Sequence, residues 1–547
     1  MSLSKSLGPL LAVSGACALL LANAAWRIGG STTKELFQYW RSSDDFALAA
    51  GYAGRGEFPV APYRVKDTVR RERDPRFLEF RKRLTEQMTE RGVEPSTFWR
   101  TVPPLSLSPD RQWRAAERFD DGGRALLLGL CYRAMGGAAP FLLHWLGILM
   151  TVPLLVGVFL ECRLAGHGIA GGVLIVLLSA SAFFVDMLTL GYSAVSFHVM
   201  ALLVLLGLAV YALGGPKATV RGLLIRSLVL GVLLGVFSIG RGTVPSLLPA
   251  FLLALAVGAL RAIPASAGRR MALRRAGLWA ASLALLCLPY MGLNAVVDGM
   301  VAKTMSSRGR PMMPRYHDPA LLLWKGLGDF DRTKGYEFRD KAGELAIIRA
   351  SQTGDASRAQ EIHLRKVILG DIREDPFWFG SILLKRALST ITLYKVWPFG
   401  PRDGTSIIPA STPNEGVIDS YYSIAAHSDW YRLGPFTGEL PVLLFLLPTV
   451  LSLLAVSLPT LRSRAPAVAA AARSGLGMAA VLAVGVLATP VLITTATAFE
   501  TECFVMVHLL VLAFLVEGVV KGDTGGLSQK GTTGPPPDTP PRAGMSP

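Results

Sequence analysis

Apolar runs of about twenty residues recur along the chain, each long enough to cross a bilayer as a helix. They fall at 7–26, 138–160, 169–190, 195–213, 223–239, 244–260, 278–297, 440–458, 475–496 and 503–520. This pattern predicts an all-α polytopic membrane protein with about ten transmembrane helices. Two long polar stretches interrupt it, 27–121 and 299–438. The expected units are therefore a first crossing (1–26), a first loop region (27–137), crossings two to seven (138–298), a second loop (299–438), crossings eight to ten (439–520) and a tail (521–547). The tail is rich in Gly, Pro and Thr and is expected to be disordered. No internal repeat is visible.

The polar stretches carry helix signals of their own. Asp74-Pro75 reads as N-cap and first helical residue, with Phe77, Leu78, Phe80, Leu84 and Met88 following on one stripe. Ser108-Pro109 repeats the signal, and 124–133 is a further amphipathic segment. In the second loop Asp355 can cap a helix running to Arg373. Asp375-Pro376 opens another, through Phe377, Phe379, Ile382 and Leu384, that carries Lys385 and Arg386. The first-loop segments and the helix opened by Asp375-Pro376 are expected to lie along the membrane surface, apolar face down. Ala22-Asn23-Ala24 has the form of a signal-peptidase site, so the first run is either a retained crossing or a cleaved signal.

Charge orients the pattern. The chain carries 17 more basic than acidic side chains, which could suggest nucleic acid. Many of them lie in short loops, at Arg163; Lys217 and Arg221; Arg261, Arg269, Arg270, Arg274 and Arg275; and Arg462, Arg464 and Arg473. With the N-terminus inside, all these loops are cytoplasmic, and the short outer connections hold only Arg241. Orientation in the bilayer thus accounts for the basicity, and no nucleic-acid partner is expected. Both long loops fall outside, and both termini inside. Abundant Ala, Gly, Leu and Arg match a GC-rich bacterial genome, so the expected location is the bacterial plasma (inner) membrane. The cysteines, five in all, form no C-x-x-C pair and suggest neither disulfides nor zinc.

Candidate chemistry lies where ionisable groups meet the crossings. Ser42-Ser43-Asp44-Asp45 opens the apolar run Phe46–Ala50 on the expected outer side. Ser42 and Asp45 have the spacing of a capping box, so the pair either caps a helix, supplies reactive carboxylates, or does both. Asp186, Arg241, His198, Glu500 and Glu502 fall at the same expected side, whereas the inner ends show Glu161 as their only acid. His508 is expected to pack in the core. A second acidic pair, Asp120-Asp121, precedes Gly122-Gly123 rather than an apolar helix and reads as solvated loop. Nucleotide-binding loops, kinase signatures, dinucleotide fingerprints, H-E-x-x-H and G-x-S-x-G are absent from the sequence. A transferase outside the membrane has no nucleotide supply and needs an activated donor delivered in the lipid.

In this layout the chain resembles the GT-C superfamily of membrane glycosyltransferases, which use polyprenyl-phosphate sugars and include protein mannosyltransferases and bacterial arabinosyltransferases. The resemblance rests on the acidic pair after the first crossing, the helix signals in the first loop, and seven crossings before a large second loop. Asp45 through Ala53 is similar to the family's acid followed by a small-residue helix. His317-Asp318 through Gly328, Arg339 through Ala342, and Arg373-Glu374-Asp375-Pro376 resemble the second outer loop of bacterial members. The resemblance implies transfer of a sugar from a polyprenyl-phosphate donor to a glycan, lipid or protein acceptor. Asp44 or Asp45 would be the base, or would hold a divalent cation (Mg or Mn). Arg241 would bind the donor phosphate, with Asp186, Glu500 and Glu502 as supporting acids.

Two rivals share parts of this pattern. A lipid-linked oligosaccharide ligase would have an outer-face basic pocket built mainly on Arg and His. A transporter or flippase of envelope precursors would show repeats, or Gly/Pro-broken spans with charges near the midplane.

Overall fold

The computed structural model of the chain describes residues 4–30, 122–136, 142–189, 195–215, 218–263, 269–306, 356–392, 440–492 and 503–529, with residues 323, 324, 326, 327, 334 and 336. Helix makes up 93% of the described residues, and none of them is in a strand. The helices are α1 (Ser4–Gly30), α2 (Gly122–Met135), α3 (Leu142–Leu164), α4 (Gly168–Ala180), α5 (Ala182–Thr189), α6 (Val195–Leu213) and α7 (Val220–Gly240). After a short 3-10 turn (Val244–Leu247) come α8 (Leu248–Ala262), α9 (Arg269–Ser306), α10 (Ala356–Glu374), α11 (Pro376–Thr392), α12 (Leu440–Ser457), α13 (Pro459–Arg464), α14 (Pro466–Leu492) and α15 (Val505–Gln529).

Helix α6 is apolar on every side, as a helix surrounded by others must be. It packs against α3, α7, α8 and α14, and Leu202, Leu203, Leu205, Leu206 and Ala209 are sealed from outside. At the periphery the pattern inverts. Ile225, Leu228, Val229 and Val232 of α7, and Leu288 and Met291 of α9, stand exposed on the bundle's surface. Water would not tolerate such apolar faces, whereas hydrocarbon does. Among the described residues seven segments are long and apolar enough to cross a membrane: Trp145–Leu164, Ser196–Leu213, Val220–Gly240, Val244–Ala262, Arg270–Met300, Pro466–Ala488 and Val505–Gly522. The chain is a helical membrane protein.

Shorter apolar stretches, Leu11–Trp26 of α1 and Leu447–Ser457 of α12, occupy the expected first and eighth crossings. Helix α1 is built into the core: Ala16, Leu20 and Ala24 are buried, and it packs on α4, α5 and α3.

The third expected crossing, 169–190, is not one helix. It breaks at Ser181, whose backbone is extended and whose N–H donates to Leu178 O. Ser181 Oγ then accepts from Phe184 N at 3.2 Å and restarts the chain as α5. The break exposes the Ser179 carbonyl, and the Asn23 side-chain amide of α1 donates to it at 3.1 Å. A serine cap inside an apolar run leaves hydropathy unchanged, so the interruption is invisible to it.

Other ends also move. Helix α9 extends well past 278–297, and α15 continues to Gln529, beyond the expected start of a disordered tail at 521. Helix α2 begins at Gly122, burying Ala125, Leu128 and Tyr132, and packs on α7. The premise that no apolar helix follows Asp120-Asp121 is therefore corrected; that pair itself lies outside the described residues.

Candidate functional site

Two glycines decide how closely α7 is held. A Cβ on Gly231 would lie 2.5 Å from Leu286 O, so α7 and α9 cross at backbone contact. At the other critical position a Cβ on Gly240 would strike the Phe197 ring at 2.5 Å. This second approach seats the end of α7 on the start of α6 and brings Arg241 and His198 to one place. Asn294 of α9 closes the same end, donating to Ser238 Oγ at 2.9 Å.

Arg241 is the C-cap of α7, its N–H donating to Phe237 O. A helix C-terminus carries partial negative charge and favours a cation there. The residue is only 8% exposed, and its Nε donates to Thr243 Oγ1 at 3.1 Å. Thr243 Oγ1 lies 3.3 Å from Nδ1 of the fully buried His198. Because arginine is only a donor, Thr243 accepts from it, and the same hydroxyl bonds His198 Nδ1 in the direction that the imidazole tautomer sets. The turn is fixed from beneath: Val244 N donates to Arg241 O, and Ser246 Oγ to Thr243 O.

Helix α14 runs opposite to α6: Gly214 lies against Met478, and Leu202 and Leu205 against Gly485. Its far end therefore lies toward Arg241, and α14 packs on the 3-10 turn there. A second buried cation is at that end. Arg386 of α11 is 0% exposed and its guanidinium donates to Val491 O at 3.0 Å. The expectation of Arg386 on an interfacial face is corrected, since it is the residue through which α11 docks on α14. Of the two caps expected in the second loop, Asp375 agrees, its Oδ1 accepting from Trp378 N at 2.9 Å, and Asp355 lies outside the described residues.

A small aromatic core supports this docked pair. Tyr336 stacks on Trp378 and meets Trp324 edge-on, each at 5.8 Å between ring centres. Its hydroxyl donates to Asp371 Oδ2 at 2.5 Å. Burial pushes the phenol well above its usual range, and the bond to Asp371 and the nearby negative charge push it the same way.

The opposite end of the bundle holds a group that the sequence did not single out. Glu517 of α15 is wholly buried. It accepts from Ala170 N, in the first turn of α4, at 3.3 Å, and lies 3.3 Å from His167 Nδ1. Lys521, one turn on, completes the cluster by pairing with Glu517 and donating to Gly166 O at 3.0 Å. Glu161 is thus not the only acid at that end; it pairs separately with Arg226 at 2.6 Å, beside the Tyr211 ring. An acid four residues before a lysine in the final crossing was the available signal for Glu517.

Of the other residues expected at the site, Asp186 lies on α5, and its side chain is not described. Asp44, Asp45, Glu500 and Glu502 lie outside the described residues. A divalent cation would fall to the Asp44–Asp45 pair; among the described residues no three His, Cys, Asp or Glu side chains gather. His508 is buried in the bundle with Nδ1 2.8 Å from Thr449 Oγ1. What the described part of the site offers is a rigid, nearly dry cation beside a polar hydroxyl–imidazole pair. Such an arrangement can hold an anionic oxygen where water competes poorly. Comparison with protein-family models, curated proteins and solved structures gives no match to this chain.

Proposed function

We propose that the chain is a GT-C-type glycosyltransferase that moves a sugar from a polyprenyl-phosphate donor to an acceptor hydroxyl on the extracytoplasmic face of a bacterial plasma membrane. The observation that carries the reading is Arg241, a cation 8% exposed at a helix end and joined through Thr243 to the buried His198. A guanidinium at that depth can pair bidentately with a phosphate, and a lipid-borne phosphate is an anion that reaches it. In the reaction the acceptor oxygen attacks the anomeric carbon, the bond from that carbon to the phosphate oxygen breaks, and polyprenyl phosphate leaves. The acceptor proton goes to Asp44 or Asp45. Arg241 stabilises the charge gathering on the departing phosphate, and the Thr243–His198 pair orients Arg241. Asp186, Glu500 and Glu502 serve as supporting acids toward acceptor and sugar.

One observation favours a ligase that moves a whole lipid-linked oligosaccharide: Arg241 and His198 are joined through Thr243 at the site. The break at Ser181 is the feature a carrier would share. Phe184 N and the Ser179 carbonyl are held there by bonds from Ser181 and Asn23, which suits a static helix junction better than a moving gate.

Binding of polyprenyl phosphate to the purified protein tests the reading. Arg241→Ala should weaken it about ten-fold or more, the worth of a charge-assisted pair, and Arg241→Lys should recover part of the loss. Unchanged binding in both variants would remove Arg241 from the site.

A further inference from the structure

A groove of about 640 Å³ opens on the flank of the bundle beside the Glu517 cluster, at the end remote from Arg241. Its apolar wall includes Ala12 of α1, Phe159 of α3, and Ile169, Val173 and Val176 of α4. The last three recur at helical spacing, so they form one stripe that descends ~12 Å with Leu177 along α4 toward the bundle's middle. Ile169 and Val176 are 38% and 39% exposed, open to whatever covers this flank.

At its mouth the groove changes character. Arg163 and Lys521 line it there, with Glu517 behind them. Glu517 is engaged by His167, Lys521 and the Ala170 N–H, so its charge is spent within the cluster. Arg163 is exposed at the rim. With Lys521 offsetting Glu517, Arg163 leaves the mouth with a net positive charge. The groove below it has the length and apolarity of part of an acyl chain.

We propose that this groove is a binding site for an anionic phospholipid, with its phosphate at Arg163 and Lys521 and one acyl chain along Ile169–Leu177. Complementarity is twofold, since a cationic mouth joins directly to an apolar trough, and a free phosphate would use only the first. The site is separate from Arg241, and its assignment does not rest on the transferase reading. Seated there, the lipid bridges α1, α3, α4 and α15 at the level where Glu517 fastens α15 to α4.

Photo-crosslinking of the full chain in mixed phosphatidylcholine–phosphatidylglycerol vesicles tests the site. The probes are phosphatidylglycerol and phosphatidylcholine, each with a photoreactive group on an acyl chain. Phosphatidylglycerol should label residues 169–177 about five-fold more than phosphatidylcholine, the gain expected of one well-placed cation. Arg163→Gln should bring the two lipids level, and Arg163→Lys should restore the preference. Val176→Trp, which fills the trough without touching the mouth, should cut labelling by both probes. Equal labelling of the wild type by the two lipids would overturn the proposal. So would a phosphatidylglycerol preference that survives Arg163→Gln, or labelling indifferent to Val176→Trp. Glycerol phosphate in excess should not compete, and competition by it would point to a headgroup-only site instead.

Discussion

Replacing Asp44 and Asp45 together by Asn is expected to lower sugar transfer in membrane vesicles about a thousand-fold, with expression and membrane insertion unchanged. The choice of Asn separates the two roles that the sequence leaves joined. An Asn side chain can still accept from the Ser42 N–H, so a pair that merely starts a helix loses only its dipole complement, about 0.3–1 kcal/mol per charge. A general base loses its proton acceptor, and positioned bases contribute on the order of a hundred- to ten-thousand-fold. The single variants then distinguish the partners: the residue whose loss alone reproduces the double variant is the base. Full activity in the double variant, with normal folding, would leave capping as the only role of the pair.

The second large effect is one of stability. Glu517→Ala should destabilise the bundle by about 3–5 kcal/mol, the range for removing one partner from a buried charge network. The carboxylate is 0% exposed and joins α15 to the first turn of α4 and to His167. Its removal leaves the Ala170 N–H and His167 facing an empty position. Lys521 is 46% exposed and can turn to water, so Lys521→Ala should cost much less. Thermal unfolding in detergent measures both, and a Glu517→Ala protein that unfolds at the wild-type temperature would show the cluster to be incidental.

Much of the architecture was legible because hydrocarbon imposes a simple rule on sequence. A run such as Val195–Leu213, apolar on all faces, has one place to go, and it forms the centre of the bundle. Local polar grammar was readable too, as Asp375-Pro376 shows by capping α11 as its spacing implies. What stayed hidden depends on partners remote in sequence. Ser181 starts α5 with its own hydroxyl, and the Ser179 carbonyl is satisfied by Asn23, 156 residues away. Arg386 looks interfacial within its own helix, and only α14 explains why it is buried. Glu517 resembles a rim acid beside a lysine until α4 is placed against it. At the candidate site the sequence marked Arg241 by its isolation between crossings. It gave no weight to Thr243, whose importance lies in standing between Arg241 and His198.

The transfer of a lipid-borne sugar can be tested without knowing the sugar or the acceptor, by lipid mass spectrometry of cells lacking the chain. A polyprenyl-phosphate sugar should accumulate, wild-type protein should restore its level, and neither Arg241→Ala nor the Asp44→Asn, Asp45→Asn double variant should do so. An unchanged pool of polyprenyl-phosphate sugars in the deletion strain, or restoration by the double variant, would contradict it.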